Sequence, residues 1–354
     1  MRRRTFLRTG TALAGGSLLT GCLDSLGFEK QSAWRDPPRV KNRPAAVYHP
    51  AYMEGMKMYG MGTDGDLRFA LMYSYPHRFW NVTGQSNSKV VVQPDDTLHM
   101  MVSMWDAKTE TTVPADVQLT IKKGGKTVDK RAPWPMLSQN MGFHYGDNVS
   151  LDGDGSYSAT VRVGSVGVHR TGSLASRLSD GASATIDFEF DTDQIYDVEY
   201  REFDEKQGSR DALDPMAMRV PVGRAPAPAS LPGTLVGTKS SGDAKFVVTV
   251  IEGDNRFADD GKSYLAVSPR TPYNRIVLPR MSLSMELLRN GTTVSKGTLT
   301  PALDAALDTH YGAPVGDVRS GDTLRISVDS PPQLARHDGY ETAFMEMPPM
   351  EFTV

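Results

Sequence analysis

The chain contains an internal repeat, which limits it to folds that can be built twice in tandem. Four short markers recur in the same order, at offsets between 166 and 177 residues. A repeat of this kind predicts two related structural units, so any fold assigned to one unit has to suit the other. The matching pairs are 65–69 with 242–246, 125–128 with 291–294, 144–146 with 310–312, and His169 with His337.

Both halves of the chain consist of short runs in which apolar and polar residues alternate. Residues 117–121, 157–163 and 185–190 are examples, and Gly, Asp and Asn separate such runs. Period-two alternation is typical of β-strands with one buried face, and Lys-Gly-Gly-Lys at 123–126 indicates a hairpin turn. The pattern predicts an all-β chain with two tandem immunoglobulin-like β-sandwich domains.

Composition shifts divide the chain further. A proline-rich and charged stretch before residue 45 is expected to form a flexible tether, and Ala-Pro repeats near residue 226 indicate a linker. The expected order is signal peptide, tether, first sandwich, linker and a second, divergent sandwich. The corresponding ranges are 1–22, 23–44, 45–200, 201–232 and 233–354.

The amino terminus carries two export signals in succession. Arg3 and Arg4, followed by Thr-Phe-Leu, fit a twin-arginine motif, and Leu-Thr-Gly at 19–21 before Cys22 forms a lipobox. The apolar stretch between them is shorter than the roughly 20 residues that a membrane-spanning helix needs. These signals predict export by the twin-arginine route and lipid attachment at Cys22. The protein is then expected on the outer face of the cytoplasmic membrane.

Cysteine content and charge exclude several classes of function. Cys22 is the only cysteine, so neither a disulfide nor a thiolate metal site is available to the mature chain. A net charge of −3 without a basic patch gives no indication of a nucleic-acid partner. Phosphate-binding loops and His-Glu-x-x-His motifs are absent from the sequence, so we expect a binding protein and not an enzyme.

Histidine and methionine are left as the chemistry-bearing residues. Four of the seven histidines lie at repeat-equivalent positions, and we expect His144 and His169 to meet at one end of the first sandwich. Methionines are concentrated near residues 53–61, 100–104, 136–141 and 345–350. Imidazole and thioether donors together suit copper better than magnesium or calcium, and ferrous iron moderately.

Residues 144–148 read His-Tyr-Gly-Asp-Asn, residues 153–157 read Gly-Asp-Gly-Ser-Tyr, and His169 precedes a strand at 186–188. This pattern resembles the periplasmic iron-transport accessory proteins. The resemblance covers roughly 45–192 well and the second unit weakly. It implies an immunoglobulin-like, copper-binding protein, often dimeric, that is coupled to an iron permease.

The resemblance also implies a set of metal ligands. His144 and His169 match the two late imidazole ligands of that family, and Met136 matches its methionine ligand, with Met141 as a rival. The family's early His-x-Glu is replaced by Arg68 and Ala70. Candidate replacements for it are His49, Met53, Glu54 and His77. Further candidates in the second unit are His310 and His337, although Ala302 stands where its methionine should be.

The sequence therefore predicts a lipid-anchored copper-binding protein that assists the uptake of ferrous iron through a membrane permease. One alternative is a copper chaperone or tolerance protein without a role in iron uptake. Another is a structural sandwich pair that binds no metal. The repeat adds the expectation that the two domains pair within one chain, as a homodimer would, or that the chain itself dimerises.

Overall fold

A computed structural model of the chain describes residues 36–253, 256–258 and 261–354. These residues form the predicted all-β sandwich fold. The twin-arginine motif, the lipobox and Cys22 lie outside the described residues. Within the described part, no helix has the length and apolar character needed to span a bilayer.

The first unit contains fourteen strands and one short α-helix, α1 (Thr192–Tyr196). Its strands are β1 (Tyr52–Glu54), β2 (Lys57–Asp64), β3 (Leu67–Ser74), β4 (Phe79–Thr83), β5 (Ser86–Val90), β6 (Leu98–Asp106), β7 (Val117–Lys123), β8 (Lys126–Arg131), β9 (Trp134–Ser138), β10 (Gly142–Val149), β11 (Gly155–Val163), β12 (His169–Arg170), β13 (Ala182–Phe190) and β14 (Tyr200–Glu202).

The second unit contains nine strands. A 3-10 turn at Gly172–Leu174 follows β12, and another at Pro228–Ser230 precedes this unit. Its strands are β15 (Thr234–Ser241), β16 (Ala244–Ile251), β17 (Ser263–Arg270), β18 (Ser282–Arg289), β19 (Thr292–Asp304), β20 (Asp308–Val315), β21 (Thr323–Ser330), β22 (Ala335–Arg336) and β23 (Met350–Thr353).

The two units share one topology. In the first, a sheet ordered β2-β3-β6-β10-β9-β22-β4-β5 faces a sheet ordered β13-β11-β7-β8. In the second, the order is β15-β16-β17-β20-β19-β18-β21-β23, because the long β19 pairs with β20 in one layer and with β18 in the other. Strands β4 and β5 have no counterpart among the described residues of the second unit.

Alternating burial explains why these segments form sandwich strands. Along β11 and β13 the buried positions are every second residue, which places Tyr157, Val161 and Ile186 in the core and their polar neighbours in solvent. Strand β6 is buried along its whole length, because it lies in the centre of its sheet and is covered on both faces. That covered position makes β6 suited to hold a buried functional residue.

A buried tyrosine in each unit makes equivalent hydrogen bonds. The Tyr145 hydroxyl donates to the carbonyl of Ala115 at 2.6 Å and accepts its N–H at 2.8 Å. The Tyr311 hydroxyl accepts the N–H of Met281 at 2.9 Å and donates to the Leu278 carbonyl at 3.1 Å. In both units the tyrosine therefore anchors the chain that enters the opposite sheet.

The units exchange short strands with each other. Strand β22 of the second unit runs parallel to β9 of the first, with Ala335 opposite Met136. Strand β12 of the first unit runs parallel to β19 of the second, with His169 opposite Ala302. The exchange is reciprocal, as across the interface of a symmetric dimer, so each unit places a loop in the other's sheet.

The segment expected to be a flexible tether is packed from Asp36 onwards. Val40 is buried in a small cluster with Tyr48 and Tyr52. The expected linker also packs along the body: the N–H of Leu213 donates to Gln139 at 2.6 Å, and Val220 is buried. The described part of both segments thus contributes to the tertiary structure, because each has its own apolar anchors and hydrogen bonds.

Candidate metal centre

Three histidines from distant parts of the chain meet inside the first unit. His77 precedes β4, His99 lies on β6, and His337 follows β22 of the second unit. One ring nitrogen of each lies within 4.8 Å of the others. The ring centres of His77 and His99 are 4.0 Å apart, and those of His77 and His337 are 4.9 Å apart. This spacing is close enough for three imidazoles to share one ion.

His144 and Met136 extend this cluster from two adjacent strands. They are paired across β10 and β9, and the His144 ring centre lies 5.4 Å from that of His337. A Cβ atom at Gly146 would stand 2.6 Å from Nε2 of His99 and 3.0 Å from Sδ of Met136. The thioether of Met136 and the imidazole of His99 therefore both approach Gly146, where the absence of a side chain accommodates them.

The hydrogen bonds of the ring nitrogens leave Nε2 free on each of these four histidines. Nε2 of His77, His99, His144 and His337 is buried and has no hydrogen-bond partner. An imidazole that donates its Nδ1–H to an acceptor presents a lone pair on Nε2, which is the form that binds a metal. The donations from Nδ1 are His77 to the Tyr75 carbonyl (3.0 Å), His99 to Asn148 Oδ1 (2.9 Å) and His144 to the Gly142 carbonyl (3.1 Å).

Burial also keeps His99, His144 and His337 neutral. It lowers the pKa of His144 to about 4 and holds the pKa of His99 and of His337 well below the ordinary value. Neighbouring imidazoles lower the pKa of each ring further, because two adjacent cations would repel. At neutral pH the rings therefore need to lose no proton before they bind a metal.

Asn148 holds two of the histidines in place. Its Oδ1 accepts from Nδ1 of His99, and its Nδ2 donates to the backbone carbonyl of His77 at 3.0 Å. The N–H of His77 also donates to Oδ1 at 3.3 Å. Because one side chain orients both residues, it corresponds to the outer shell of a metal site.

We expect Asn148→Leu to weaken metal binding by roughly 10- to 100-fold, the usual effect of losing an outer-shell partner. Asn148→Asp retains the acceptor for His99 and should lose less affinity. Competition with a chelator of known affinity measures the difference. Equal affinities for the leucine variant and the unaltered protein would show that Asn148 does not orient the ligands.

A small cavity of about 50 Å³ leads from the surface to this cluster. His77 and His337 stand at its inner end, and Glu54 lies beside them with Oε2 2.6 Å from Nδ1 of His77. Oε2 makes no hydrogen bond beyond this contact. Four methionines line the same cavity: Met53, Met56, Met101 and Met141.

The structure separates the remaining candidate ligands from the centre. His49 packs edge-on against Phe203, with ring centres 4.6 Å apart, and its Nδ1 donates to the Pro50 carbonyl. Met53 and Met141 line the cavity, and Met141 belongs to an apolar cluster with Met101. Met53 and Met141 therefore line the approach to the histidine cluster, whereas Met136 lies within the cluster.

His144 and His169 do not meet, contrary to the expectation from their spacing. His169 is exposed on β12, which pairs with the second unit, while His144 is buried in the first. The exchange of strands is the physical reason, because it carries His169 away and brings His337 in. His337 therefore occupies the position beside His144 that was expected of His169.

The strand register also corrects the alignment of the repeat. The N–H of His337 donates to Leu137, and the N–H of Thr171 donates to Leu303, at equivalent places on β9 and β19. Thr171, and not His169, is thus the counterpart of His337. A shift of two residues keeps a side chain on the same face of a strand but moves it by roughly 7 Å.

The second unit fills its equivalent centre with its own side chains. Tyr264 stands in the place of His99, packs against Gly312, and has its hydroxyl 3.2 Å from Nε2 of His310. Ala302 replaces the methionine. The Thr171 hydroxyl donates to Asp304 at 2.8 Å. His310 is therefore the only imidazole left among these positions, and its Nε2 has a neighbour that the four clustered histidines lack.

His99 is the residue that the sequence pattern did not reveal. It lies in an apolar run, where a single histidine is usually a structural one, and no motif marks it. Its only signal was the register of β6 against β10, which places it opposite Asn148 of the His-Tyr-Gly-Asp-Asn run. Such a register follows from the folded sheet and not from residue spacing.

The donor set fits a soft or borderline metal ion. The buried, unpartnered Nε2 atoms would each carry a desolvation cost unless a ligand satisfied them. Imidazoles with one thioether suit copper, and a set of three imidazoles also occurs with zinc. The residues that fit such an ion are His77, His99, His144 and Met136 of the first unit and His337 of the second.

Comparisons with known proteins give limited likenesses. A family model described as a domain of unknown function, DUF7350, matches residues 229–353. No curated protein matches the chain. FetP of uropathogenic Escherichia coli strain F11 is similar at 16% identity over 38% of this chain and 95% of its own, with a TM-score of 0.29.

A copper-bound variant of the same FetP, with one glutamate replaced by glutamine, is similar at 15% identity. The match covers 40% of this chain and 92% of FetP, with a TM-score of 0.27. Both TM-scores are low, so this likeness supports no conclusion about the present chain.

Proposed function

We propose that this protein is an extracytoplasmic copper-binding protein. His77, His99, His144 and His337 would hold the ion, together with the sulfur of Met136. The observation that carries the proposal is the set of four buried Nε2 atoms without hydrogen-bond partners, gathered around one thioether. Copper accepts both donor types, whereas magnesium and calcium prefer oxygen.

The environment of the ligands suits an ion that is bound and then transferred to another molecule. Bound copper would supply one-electron chemistry between its two valences. The protein's own contribution is to hold four imidazoles largely shielded from water, with His99, His144 and His337 kept neutral. We assign the cluster a binding role.

We further propose that the protein assists iron uptake from the outer face of the cytoplasmic membrane. Cys22 would carry the lipid anchor after export by the twin-arginine route. Ferrous iron would be the transported ion, passed to a membrane permease. The likeness of residues 144–148 and their surroundings to iron-transport accessory proteins supports this role.

The methionines favour a second candidate function, that of a copper chaperone without a role in iron uptake. Met53, Met56, Met101 and Met141 line the cavity that leads to the histidines. Thioethers bind Cu(I) and release it readily, so this lining suits the passage of copper between the surface and the centre.

Metal analysis of protein purified without chelator tests the copper site. We expect about one copper per chain and preference for copper over zinc in competition. His99→Leu should lose the copper, and thermal unfolding checks that the protein remains folded, because leucine also removes the bond from Nδ1 of His99 to Asn148. Preferential binding of zinc would refute copper as the bound metal. Absence of any bound metal would favour a structural sandwich that binds none.

Deletion of the gene distinguishes the two candidate roles. A growth defect under iron starvation is expected if the protein serves iron uptake. Copper sensitivity without such a defect would support the chaperone role instead.

A further inference from the structure

The N-terminal segment, residues 36–48, is attached to the loop that delivers His337. This loop, residues 331–349, belongs to the second unit but lies against the first. The N–H of Tyr48 donates to Gly339 at 3.1 Å, and the Thr342 hydroxyl donates to the Pro44 carbonyl at 2.7 Å. The segment therefore packs along the loop and is joined to it by hydrogen bonds.

Arg78 is the central link between the segment and the loop. Its Nε and Nη2 donate to the two carboxylate oxygens of Asp338, at 3.0 and 3.2 Å. Its remaining N–H groups donate to the carbonyls of Pro37 and Pro38, at 2.5 and 3.1 Å. The side chain of Arg78 is 2% exposed, so these bonds form out of water. One guanidinium thus joins the N-terminal segment to the neighbour of His337.

A second buried charge adds to this link. The carboxylate of Glu341 is fully buried and accepts from Arg43 at 2.8 Å and from the Tyr48 hydroxyl at 2.5 Å. It also accepts from the N–H of Gly339 at 2.9 Å. Arg43 and Tyr48 belong to the N-terminal segment, whereas Gly339 and Glu341 belong to the loop. Asp338 and Glu341, the two acidic residues after His337, are therefore each paired with an arginine outside the second unit.

These contacts help to position His337, together with the buried Arg336, whose guanidinium donates to the carbonyls of Pro332 and Ala343 within the loop. Strand β22 supplies two residues, and the N–H of His337 makes one bond to the Leu137 carbonyl at 3.2 Å. Breaking a buried ion pair is strongly destabilising, since it leaves an uncompensated charge. The Asp338 carboxylate, once freed from Arg78, would draw the loop and His337 towards water.

We propose that Arg78 is a positioning residue that clamps the N-terminal segment onto the His337 loop and so controls how firmly the metal is retained. The proposal rests on the proposed metal site and adds a means of release. The segment leads back towards the predicted anchor at Cys22. Displacement of residues 36–48, for example when the anchored protein docks on a membrane partner, would loosen His337 and free the ion.

The test compares Arg78→Met with Arg289→Met in the full chain. Arg289 forms a similar fork with Asp322, at 2.9 and 2.8 Å, but in the second unit and away from the histidine cluster. The first measurement is the rate at which a chelator removes copper from loaded protein. We expect this rate to rise at least about tenfold in Arg78→Met and to stay unchanged in Arg289→Met.

Two milder variants distinguish loss of the clamp from loss of folding. Arg78→Lys keeps a charge for Asp338 but cannot also reach both proline carbonyls, so it should release copper at an intermediate rate. Thr342→Val removes only the hydroxyl bonds to the Pro44 and Ala46 carbonyls and should give a small increase. Release that is unchanged in all three clamp variants would overturn the proposal.

Hydrogen–deuterium exchange without metal separates this proposal from that of the copper site. In Arg78→Met the amides of residues 337–343 should exchange faster than in Arg289→Met, whether or not the protein binds copper. Faster exchange in a chain that binds no copper would uphold the clamp and refute the metal site. Unchanged exchange in a chain that does bind copper would refute the clamp alone.

Discussion

Replacing His337 with alanine is expected to weaken copper binding by at least about 100-fold, although His337 belongs to the unit that lacks a centre of its own. Its ring stands 4.9 Å from that of His77 and 5.4 Å from that of His144, and its Nε2 has no other partner. Loss of a direct ligand should cost more than the roughly 10- to 100-fold typical of outer-shell changes. Copper titration in competition with a chelator measures the loss.

His169→Ala is the matched control, since His169 is the histidine expected from the repeat to be equivalent. It is exposed on β12 and pairs with the second unit, so its loss should leave copper affinity unchanged. Thermal unfolding of both variants checks that neither has lost its fold. Loss of copper in His169→Ala together with retention in His337→Ala would contradict the exchange of loops between the units.

Replacing Gly146 with alanine is expected to block the centre with a single methyl group. The added Cβ would stand 2.6 Å from Nε2 of His99 and 3.0 Å from Sδ of Met136, which is closer than carbon normally approaches either atom. One of the two donors has to move, and the buried site offers little room for it. We expect a loss of copper affinity of at least about tenfold, because a displaced donor is partly withdrawn from the metal.

Gly297→Ala provides the corresponding control within a strand of the second unit. A Cβ at Gly297 would meet no atom within 4 Å, so this variant should keep its affinity and stability. The spectrum of bound copper gives a second readout, because displacement of Met136 removes the thioether from the coordination. Identical affinity and spectrum in Gly146→Ala would exclude Gly146 as the contact that sets the spacing of His99 and Met136.

The repeat, the strand patterns and several donors were predictable from local sequence. Alternation along 157–163 and 185–190 reports which face of a strand is buried, and the folded chain has strands there. His144 and Met136 followed from the resemblance of a short motif, and they lie beside each other on β10 and β9. His77 was among the candidate replacements for the missing early ligands, and it lies in the cluster.

The positions of two residues could not be predicted from local sequence. His99 lies in an apolar run without a motif, and only its register against Asn148 places it at the centre. His337 was a candidate ligand of the second unit, but the exchange of β12 and β22 between the units carries it to His144 instead. Both placements depend on contacts between segments far apart in sequence, which spacing along one unit does not encode.

The single cysteine and the order of strands are properties of local sequence, since residue type and alternation are read along one segment at a time. The single cysteine leaves histidine and methionine as the available metal donors. The strand pattern predicts a sandwich as the fold. Which histidines meet is a property of the folded pair of units. Exchange of two short strands replaces His169 by His337, while Tyr264 and Ala302 fill the second centre. The physical reason is that a metal site needs donors converging from several strands, and that convergence exists only once the sheets are paired and packed.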